Sequence, residues 1–423
     1  MKTFIGIAAA SFLIGAILLQ AGSGADPSLP KARPLTDRKF ERTEKRLMRG
    51  KYLVQGVLQC FVCHSDRSWK EPGAPVVPGK MGAGSIMFDE KDYRMVAPNI
   101  TPDKTTGAGT WTDDMLARAI REGIGHDGRA LHPQMWYSTF RMLPDEDLAS
   151  VIVYMRSIPA VRNALPRRRL TAEKEKQIQV QPQPITAPVA TPELSTPVQR
   201  GAFLARIADC IGCHTYWYGD VNPGFFAGGN LIEHGNVKAF STNLTPDPSG
   251  IPYYDGALFR EVMRTGSVKA RRLSPMMPWV VFRNMNDEDL NAIFAFLKNL
   301  KPVHHNIANG EPPTACLLCG QTHGYGAGNK PWNPQPVKVN PAIYDAYAGK
   351  YEYPDGNTVT VKRDGDKLLF VGTDGEAIEL IPQSEAVFVT RNLASPVTFV
   401  RDAKGKVTHF LENSDFDPVR RIH

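Results

Sequence analysis

Cys60-Phe61-Val62-Cys63-His64 returns later in the chain as Cys210-Ile211-Gly212-Cys213-His214, and the residues around both copies repeat in the same order. Around the first copy lie Arg49-Gly50-Lys51-Tyr52-Leu53, Asn99-Ile100-Thr101-Pro102-Asp103, Leu131-His132-Pro133-Gln134-Met135-Trp136 and Asp145-Glu146-Asp147-Leu148. Around the second lie Arg200-Gly201-Ala202-Phe203-Leu204, Asn243-Leu244-Thr245-Pro246-Asp247, Leu273-Ser274-Pro275-Met276-Met277-Pro278-Trp279 and Asp287-Glu288-Asp289-Leu290. The shared order indicates the duplication of a whole domain, because the repeat is much longer than a solenoid unit.

The composition is that of an ordinary globular protein. Hydrophobic residues make up 42% and charged residues 22% of the 423 residues, which excludes a largely disordered or fibrous chain. The formal net charge is +7, but no run of Lys and Arg is interleaved with aromatic residues, so nucleic acid is not an expected partner. The length predicts two to four domains at ~100–200 residues each.

The N-terminus predicts export from the cytoplasm. Lys2 precedes an apolar stretch from Phe4 to about Leu19, and the small residues Ser23-Gly24-Ala25 follow it. This is the layout of a signal peptide at residues 1–25. A stretch of this length also suits a retained membrane anchor, so cleavage after Ala25 and anchoring to the inner membrane both stay open. In either case the chain is expected in the periplasm.

Both copies are predicted to be mainly helical. Apolar residues recur with the period of one helix face at Leu148, Val151, Ile152 and Met155, and at Leu290, Ile293, Phe294 and Leu297. Shorter helices are expected from Thr112 to Gly123 and from Asp255 to Gly266. The Asp-Glu-Asp run is expected to open each long helix, where its carboxylates satisfy free N–H groups and oppose the positive end of the helix dipole.

The Cys-x-x-Cys-His spacing is the attachment motif of c-type haem. Two intervening residues place both sulfurs about one helical turn apart, so they can bond the two vinyl groups of one macrocycle, while the histidine binds the iron. We therefore expect two covalently bound haem c groups, attached at Cys60, Cys63, Cys210 and Cys213 and ligated by His64 and His214. The alternatives are a zinc site, a thiol redox pair and a disulfide. Zinc needs convergent ligands, a thioredoxin-like redox pair needs a βαβ setting, and a disulfide does not need the histidine.

A methionine occupies the same place in each copy, at Met135 and Met277. We expect these two as the sixth iron ligands, because a thioether raises the potential relative to a second histidine. His132 competes in the first copy, and Met276 in the second.

Two further expectations concern the segments around the Asn-x-Thr-Pro-Asp elements. Backbone carbonyls near Pro98 and Thr242 are expected to accept the N–H of the proximal imidazoles. Asn99 and Asn243 either line the haem edge near the propionates or form an Asx turn before a proline.

The chain changes character after about residue 340. Short alternating strands are predicted at 358–361, 368–371, 377–381, 387–389, 397–400 and 407–411, separated by turn signals such as Pro354-Asp355-Gly356-Asn357. This spacing predicts an antiparallel meander or small barrel. Through Tyr347-Ala348-Gly349-Lys350-Tyr351 and the hairpin from Val397 to Lys406, the segment resembles the lipocalin-like β-domain appended to β-lactamase-like serine hydrolases. It carries no catalytic residue and is expected to dock or stabilise.

Two other segments connect these parts. Residues 164 to about 198 are interpreted as a partly extended linker, in which Arg167-Arg168-Arg169 forms a solvated charge run. Cys316 and Cys319 are followed by Gly320 rather than histidine, so they are not a third haem motif. A local disulfide, a metal site with His304, His305 or His323, and a reactive dithiol stay open.

Residues from about 45 to 302 resemble a tandem of class I cytochrome c domains, and are most similar to the cytochrome subunits of periplasmic alcohol and aldehyde dehydrogenases. The resemblance rests on the haem motif, Asn-x-Thr-Pro-Asp, Met-Pro-Trp and Asp-Glu-Asp-Leu. It implies electron relay from a periplasmic dehydrogenase towards the respiratory chain, through a terminal oxidase or another cytochrome. The chain departs from that family in having two haem motifs rather than three and in its β-domain tail.

The predicted fold is multidomain. Two mainly α cytochrome c domains at 40–162 and 199–303 are joined by a linker at 163–198, and a connector at 304–340 leads to a small antiparallel β-domain at 341–423. The expected function is a periplasmic dihaem electron-transfer protein or subunit rather than a stand-alone enzyme. The alternative is a dihaem oxidoreductase of the peroxidase or thiosulfate-oxidising type, with an open sixth position on the first iron.

Overall fold

The computed structural model describes residues 30–179, 181–216, 224–234, 237–268, 271–307, 313–315, 322–324, 335–353, 356–373, 375–390, 397–412 and 418–422. The helices are α1 (Glu44–Tyr52), α2 (Cys60–Cys63), α3 (Asp113–Glu122), α4 (Tyr137–Phe140), α5 (Asp145–Ser157), α6 (Ala172–Gln179), α7 (Pro197–Ile207), α8 (Cys210–His214), α9 (Gly256–Thr265), α10 (Trp279–Phe282), α11 (Asp287–Lys298) and α12 (Tyr344–Tyr347). The expected signal peptide and the pair Cys316 and Cys319 lie outside the described residues.

The strands form small hairpins in the helical part and one barrel at the end of the chain. The hairpins pair β1 (Ser85–Asp89) with β2 (Arg94–Ala97), β3 (Leu231–His234) with β4 (Val237–Phe240), β5 (Ser267–Val268) with β6 (Arg271–Arg272), and β7 (Pro313–Ala315) with β8 (Thr322–Gly324). The barrel strands are β9 (Gly349–Glu352), β10 (Thr358–Asp364), β11 (Lys367–Val371), β12 (Ala377–Pro382), β13 (Val387–Thr390), β14 (Val397–Arg401), β15 (Val407–Glu412) and β16 (Pro418–Ile422). In the described part of the chain, no helix has the length and apolarity needed to cross a membrane.

The two stretches that repeat in sequence fold in the same order of elements. We call residues 44–158 the first helical unit and residues 197–300 the second helical unit. In the first unit α1 leads into the cysteine helix α2, followed by a hairpin and then α3, α4 and α5. The second unit repeats this course from α7 to α11. The predicted short helices are confirmed, because α3 lies between its caps Thr112 and Gly123 and α9 between Asp255 and Gly266.

Each unit is closed by its first and last long helices, which cross at a glycine. A Cβ atom at Gly50 of α1 would overlap the carbonyl oxygen of Ser150 in α5, far inside van der Waals contact. Gly201 of α7 stands in the same relation to the carbonyl oxygen of Ala292 in α11. Only glycine allows the two backbones of each pair to approach so closely.

An ion pair beside each crossing fixes the rotation of the helices. Arg49 binds both carboxylate oxygens of Asp147 at 2.8 Å, and Arg200 binds Asp289 at 2.5 Å. These aspartates come from the Asp-Glu-Asp runs, which open both helices as predicted and lie in the first turn, where they oppose the positive end of the helix dipole. Only the predicted capping of free N–H groups is wrong. The side chain that caps α11 is Asn286, and α5 begins after Pro144 without a side-chain cap.

The two helical units pack against each other and share one continuous apolar core. α4 of the first unit contacts α7, and α10 of the second unit contacts the π-helical turn Leu53–Val57 that continues α1. This exchange of equivalent contacts gives the pair an approximate two-fold relation. Polar bonds cross the same interface: the Tyr52 hydroxyl donates to Asp289, and the Gln59 amide donates to the carbonyl oxygen of Ala208.

The segment between the units is folded back onto the first unit. Arg168 is only 10% exposed, because its guanidinium binds Glu175 of α6 at 2.8 Å and the carbonyl oxygen of Ala130 at 2.9 Å. The backbone of Arg169 exchanges two hydrogen bonds with that of Arg94. The prediction of a solvated charge run therefore holds for Arg167 and is wrong for Arg168.

The C-terminal residues form a closed eight-stranded antiparallel barrel, which confirms the predicted meander or barrel. The six predicted strands are present, and β9 and β16 pair with each other to close the sheet. Aromatic side chains fill the interior, among them Tyr347, Tyr351, Phe388, Phe399 and Phe410. Lys301 Nζ, directly after the second unit, donates to Thr398 Oγ1 at 3.0 Å and so links the barrel to the end of that unit.

We expect Gly50→Ala and Gly201→Ala each to destabilise the protein, because the added methyl group forces the crossing helices apart. Overpacking of this kind reduces the free energy of unfolding by about 1–3 kcal/mol or more. Denaturant titration of the purified full-length protein measures this loss.

Gly256→Ala is the matched control. Gly256 begins α9, and a Cβ there would meet its nearest neighbour at 3.5 Å, which is ordinary contact. This variant should be neutral or slightly more stable, because alanine favours the helix. Equal losses in all three variants would contradict the crossing argument.

Candidate functional site

Each Cys-x-x-Cys-His motif lies on a single helical turn that follows a sharp change in chain direction. The residue before the first cysteine has a left-handed backbone in both copies, with φ of 55° at Gln59 and 54° at Asp209. This conformation ends the preceding helix and starts α2 and α8 at a new angle. The two cysteines of each motif therefore lie one turn apart on the same side of a short helix.

The cysteine side chains are thiols and do not pair with each other as disulfides. Burial raises the pKa of the Cys60 and Cys210 thiols to about 12, so they are neutral at physiological pH. A reactive dithiol needs a lowered pKa, so the environment does not suit that chemistry. Across the described ranges, no three His, Cys, Asp or Glu side chains converge as a metal cluster would require.

The histidine of each motif is buried and held by one backbone carbonyl. His64 is 6% exposed and His214 is 8% exposed. Nδ1 of His64 donates to the carbonyl oxygen of Pro98 at 2.7 Å, and Nδ1 of His214 donates to that of Thr242 at 2.7 Å. Since a carbonyl can only accept, the proton lies on Nδ1 and the lone pair of Nε2 is free to bind a metal. The predicted carbonyl partners are confirmed.

The Asn-x-Thr-Pro-Asp elements form Asx turns that hold these carbonyls in place. Asn99 Oδ1 accepts from the N–H of Thr101 at 3.0 Å, and Asn99 Nδ2 donates to the carbonyl oxygen of Val161 at 2.8 Å. Asn243 repeats both bonds with Thr245 and Val303. Both asparagines are buried, and the Asx turn, one of the two roles that the sequence left open, is confirmed.

Met135 and Met277 lie in equivalent loops. Each loop is fixed to the end of the preceding helix by one backbone bond, from Leu131 to Gly123 at 2.7 Å and from Leu273 to Gly266 at 2.8 Å. Both methionines are partly buried and pack against the shared apolar core. The structure therefore places them at matching positions of the two units, as the alignment of the repeats predicts.

The competing ligand in the first unit, His132, makes one hydrogen bond through its ring. Its Nδ1 accepts from the N–H of Gln134 at 3.3 Å, and burial lowers its pKa to about 4. The other ring nitrogen, Nε2, is buried and has no hydrogen-bond partner among the described residues. The geometry therefore leaves both Met135 and His132 as candidate ligands of the first unit.

Asp209 is a buried acid at the contact between the two motifs. It is 7% exposed, and burial raises its pKa to about 7 in spite of a hydrogen bond from the N–H of Gly212. Its equivalent in the first unit is the neutral Gln59. The sequence does not reveal the roles of Asp209 and Gln59. A left-handed backbone at a residue other than glycine leaves no local signal, and the contact between the motifs joins residues that are distant in the chain.

We expect Asp209→Asn to stabilise the folded protein at high pH. A carboxyl with a folded-state pKa near 7 keeps its proton while the unfolded chain releases it above about 4. Stability therefore falls as pH rises from 4 to 7, by at most about 1.4 kcal/mol per pKa unit. Asparagine removes this loss and tolerates the left-handed backbone.

The free energy of unfolding at pH 4 and pH 8 measures this effect. The variant should match the wild type at pH 4 and exceed it by about 1–3 kcal/mol at pH 8. Asp92→Asn, at an exposed position of the β1–β2 turn, is the control and should change little at either pH. A stability difference that does not depend on pH would contradict the assignment.

Comparison with protein families identifies two parts of the chain. Residues 198–301 match the cytochrome c family, and residues 333–420 match a family described as a domain of unknown function (DUF3471). The first match covers the second helical unit, and the second covers the barrel.

Characterised proteins give similar results. The chain is 42% identical over 122 residues to the cytochrome c subunit of a quinone-dependent alcohol dehydrogenase from Gluconacetobacter polyoxogenes, which is 28% of this chain and 25% of that protein. It is 26% identical over 308 residues to the fructose dehydrogenase cytochrome subunit of Gluconobacter japonicus, covering 67% and 57%. It is 26% identical over 322 residues to one subunit of the nicotinate dehydrogenase of Pseudomonas putida, covering 67% and 25%.

The chain thus spans between a quarter and somewhat over half of the length of these relatives. The chemistry of the His214 site, the family match and these similarities agree with one another. The chain contains a cytochrome c domain and is homologous to the cytochrome subunits of dehydrogenases.

Proposed function

We propose that the protein is a dihaem electron-transfer protein of the periplasm, which passes electrons from a dehydrogenase to another cytochrome or a terminal oxidase. One observation carries this proposal. In both units a histidine directly after a cysteine pair donates Nδ1–H to a carbonyl and leaves Nε2 free. The same donor set, built twice by equivalent elements, fits two haem c groups.

Each residue of the set has a defined part. Cys60 and Cys63 tether one macrocycle, and Cys210 and Cys213 the other. His64 and His214 bind the iron through Nε2, and their bonds to backbone carbonyls fix the ring orientation and make Nε2 a stronger donor. When bound, haem c supplies a one-electron redox centre.

Met135 and Met277 complete the two sites as sixth ligands. An iron bound by both a histidine and a methionine would have no open position, so such a site would carry electrons rather than bind a substrate.

The packing of the units suits electron transfer within one molecule. The Gln59 amide of one motif contacts the carbonyl oxygen of Ala208, two residues before the other motif. Cys63 and Cys213 are near enough that each ionised thiol would repel the other, which adds to the raised pKa of Cys213. Electrons can therefore pass between the two tethered groups over a short path.

The similarity to dehydrogenase cytochrome subunits supports a dehydrogenase as the electron donor. The apolar N-terminal stretch supports export, which the periplasmic attachment of haem c requires. The described residues of the barrel form an aromatic interior, and we assign the barrel to docking or stabilisation beside the second unit.

We expect two covalently bound haems per chain when the full-length protein is produced in a host that matures c-type cytochromes. Intact-mass analysis and haem quantification measure this number. Cys60→Ser with Cys63→Ser should leave one haem, and so should Cys210→Ser with Cys213→Ser. Cys316→Ser with Cys319→Ser is the matched control and should keep both; a wild-type chain without covalent haem would overturn the proposal.

We expect Met277→Ala and Met135→Ala each to convert one low-spin ferric haem to a high-spin form, because each removes a strong sixth ligand. Electron paramagnetic resonance of the oxidised protein measures this change. Met276→Ala and His132→Ala are the controls and should leave both signals low-spin. Conversion in a control variant instead would reassign the ligand in that unit.

A further inference from the structure

One cation in the interface between the units has no carboxylate partner among the described residues. Arg67 follows His64 by three residues, and its guanidinium is half-buried. Its Nε donates to the carbonyl oxygen of Ala74 at 2.8 Å, and one Nη donates to those of Gly73 at 3.0 Å and Pro275 at 3.2 Å. The guanidinium carbon also lies 4.4 Å from the centre of the Trp69 ring. Neutral oxygens and this ring are therefore its partners in the described part of the chain.

The loop that carries Arg67, residues 66–77, is rigidly built against the second unit. Ser68 donates to the carbonyl oxygen of Pro75 at 2.8 Å, and Val77 donates to that of Asp66 at 2.9 Å. At the loop tip, Gly73 packs so closely on Trp279 and Val280 that a Cβ would overlap both. The Trp69 ring stacks on His234 of the second unit, with ring centres 3.9 Å apart. The guanidinium is therefore held at a fixed place.

That place lies between the two candidate haem sites. On one side, Arg67 lies on the loop that leaves the first motif, three residues after His64. On the other side, Pro275 precedes Met277 by two residues in the axial loop of the second unit.

A half-buried cation without a counter-ion disfavours folding, since it loses hydration that no opposite charge replaces. Burial lowers the pKa of Arg67 to about 10, which still leaves it charged at neutral pH. Reduction of a haem iron removes one positive charge from its site. A fixed cation nearby therefore stabilises the reduced form, and bulk salt screens a partly buried charge only weakly.

We propose that Arg67 is a positioning residue that raises the reduction potential of the haem groups on either side of the interface. This inference rests on the proposed dihaem function. It assigns an electrostatic role to the contact between the loop at 66–77 and the loop that carries Met277.

Spectroelectrochemical titration of the mature protein tests the proposal. Arg67→Gln should lower at least one of the two midpoint potentials, by roughly tenfold in the reduction equilibrium, or about 59 mV for one electron. Arg67→Lys keeps the charge and should restore most of the potential, even though it loses part of the carbonyl contacts. Arg129→Gln is the matched control, because it removes the same charge from a side chain that is 52% exposed.

The outcomes separate the two ideas. Two normal haems whose potentials do not respond to Arg67→Gln would overturn the role of Arg67 and leave the proposed function intact. An equal fall in the Gln and Lys variants would also overturn it, because it would trace the effect to lost packing. If Arg67→Gln does not mature, Arg67→Met keeps the apolar stem without the charge and carries the same expectation. A wild-type chain without two haems would refute the proposed function itself.

Discussion

The close approach of the first and last helices of each unit is the constraint on which the rest of the structure depends. Gly50 and Gly201 let the backbones touch, and the ion pairs of Arg49 with Asp147 and Arg200 with Asp289 set their rotation. The cysteine turn leaves the end of the first helix of each pair. Its direction is therefore fixed by a crossing more than a helical turn away, before any cofactor is considered.

The two units match each other at the candidate site residues and differ elsewhere. The histidine, its carbonyl partner, the Asx turn and the methionine loop are the same in both. The interface is less symmetric, since a neutral Gln59 in the first unit stands where the second has a buried acid, Asp209. Equivalent candidate sites thus lie in different electrostatic surroundings within one chain.

Sequence alone predicted the features whose causes are local. The caps at Thr112, Gly123, Asp255 and Gly266 mark their helices correctly, since a cap is determined by the few residues around it. The Cys-x-x-Cys-His spacing and the repeat gave the candidate site residues. The contacts of Tyr52, Gln59 and Arg67 across the interface could not be predicted, because no local pattern records which distant surface will cover a side chain. The strands β9 and β16 were missed for a similar reason, as they complete the barrel only by pairing with each other.

The single apolar core that joins the helical units has a consequence for the history of the chain. Once two copies of a domain are fused and share an interior, neither copy has to fold or remain soluble by itself. A substitution in the interface of one unit then needs a compensating change at one place only. In a dimer of two identical chains, the same substitution would appear in both partners. After fusion the two units can therefore diverge. The difference between Gln59 and Asp209 at equivalent positions is one that two identical chains could not have evolved.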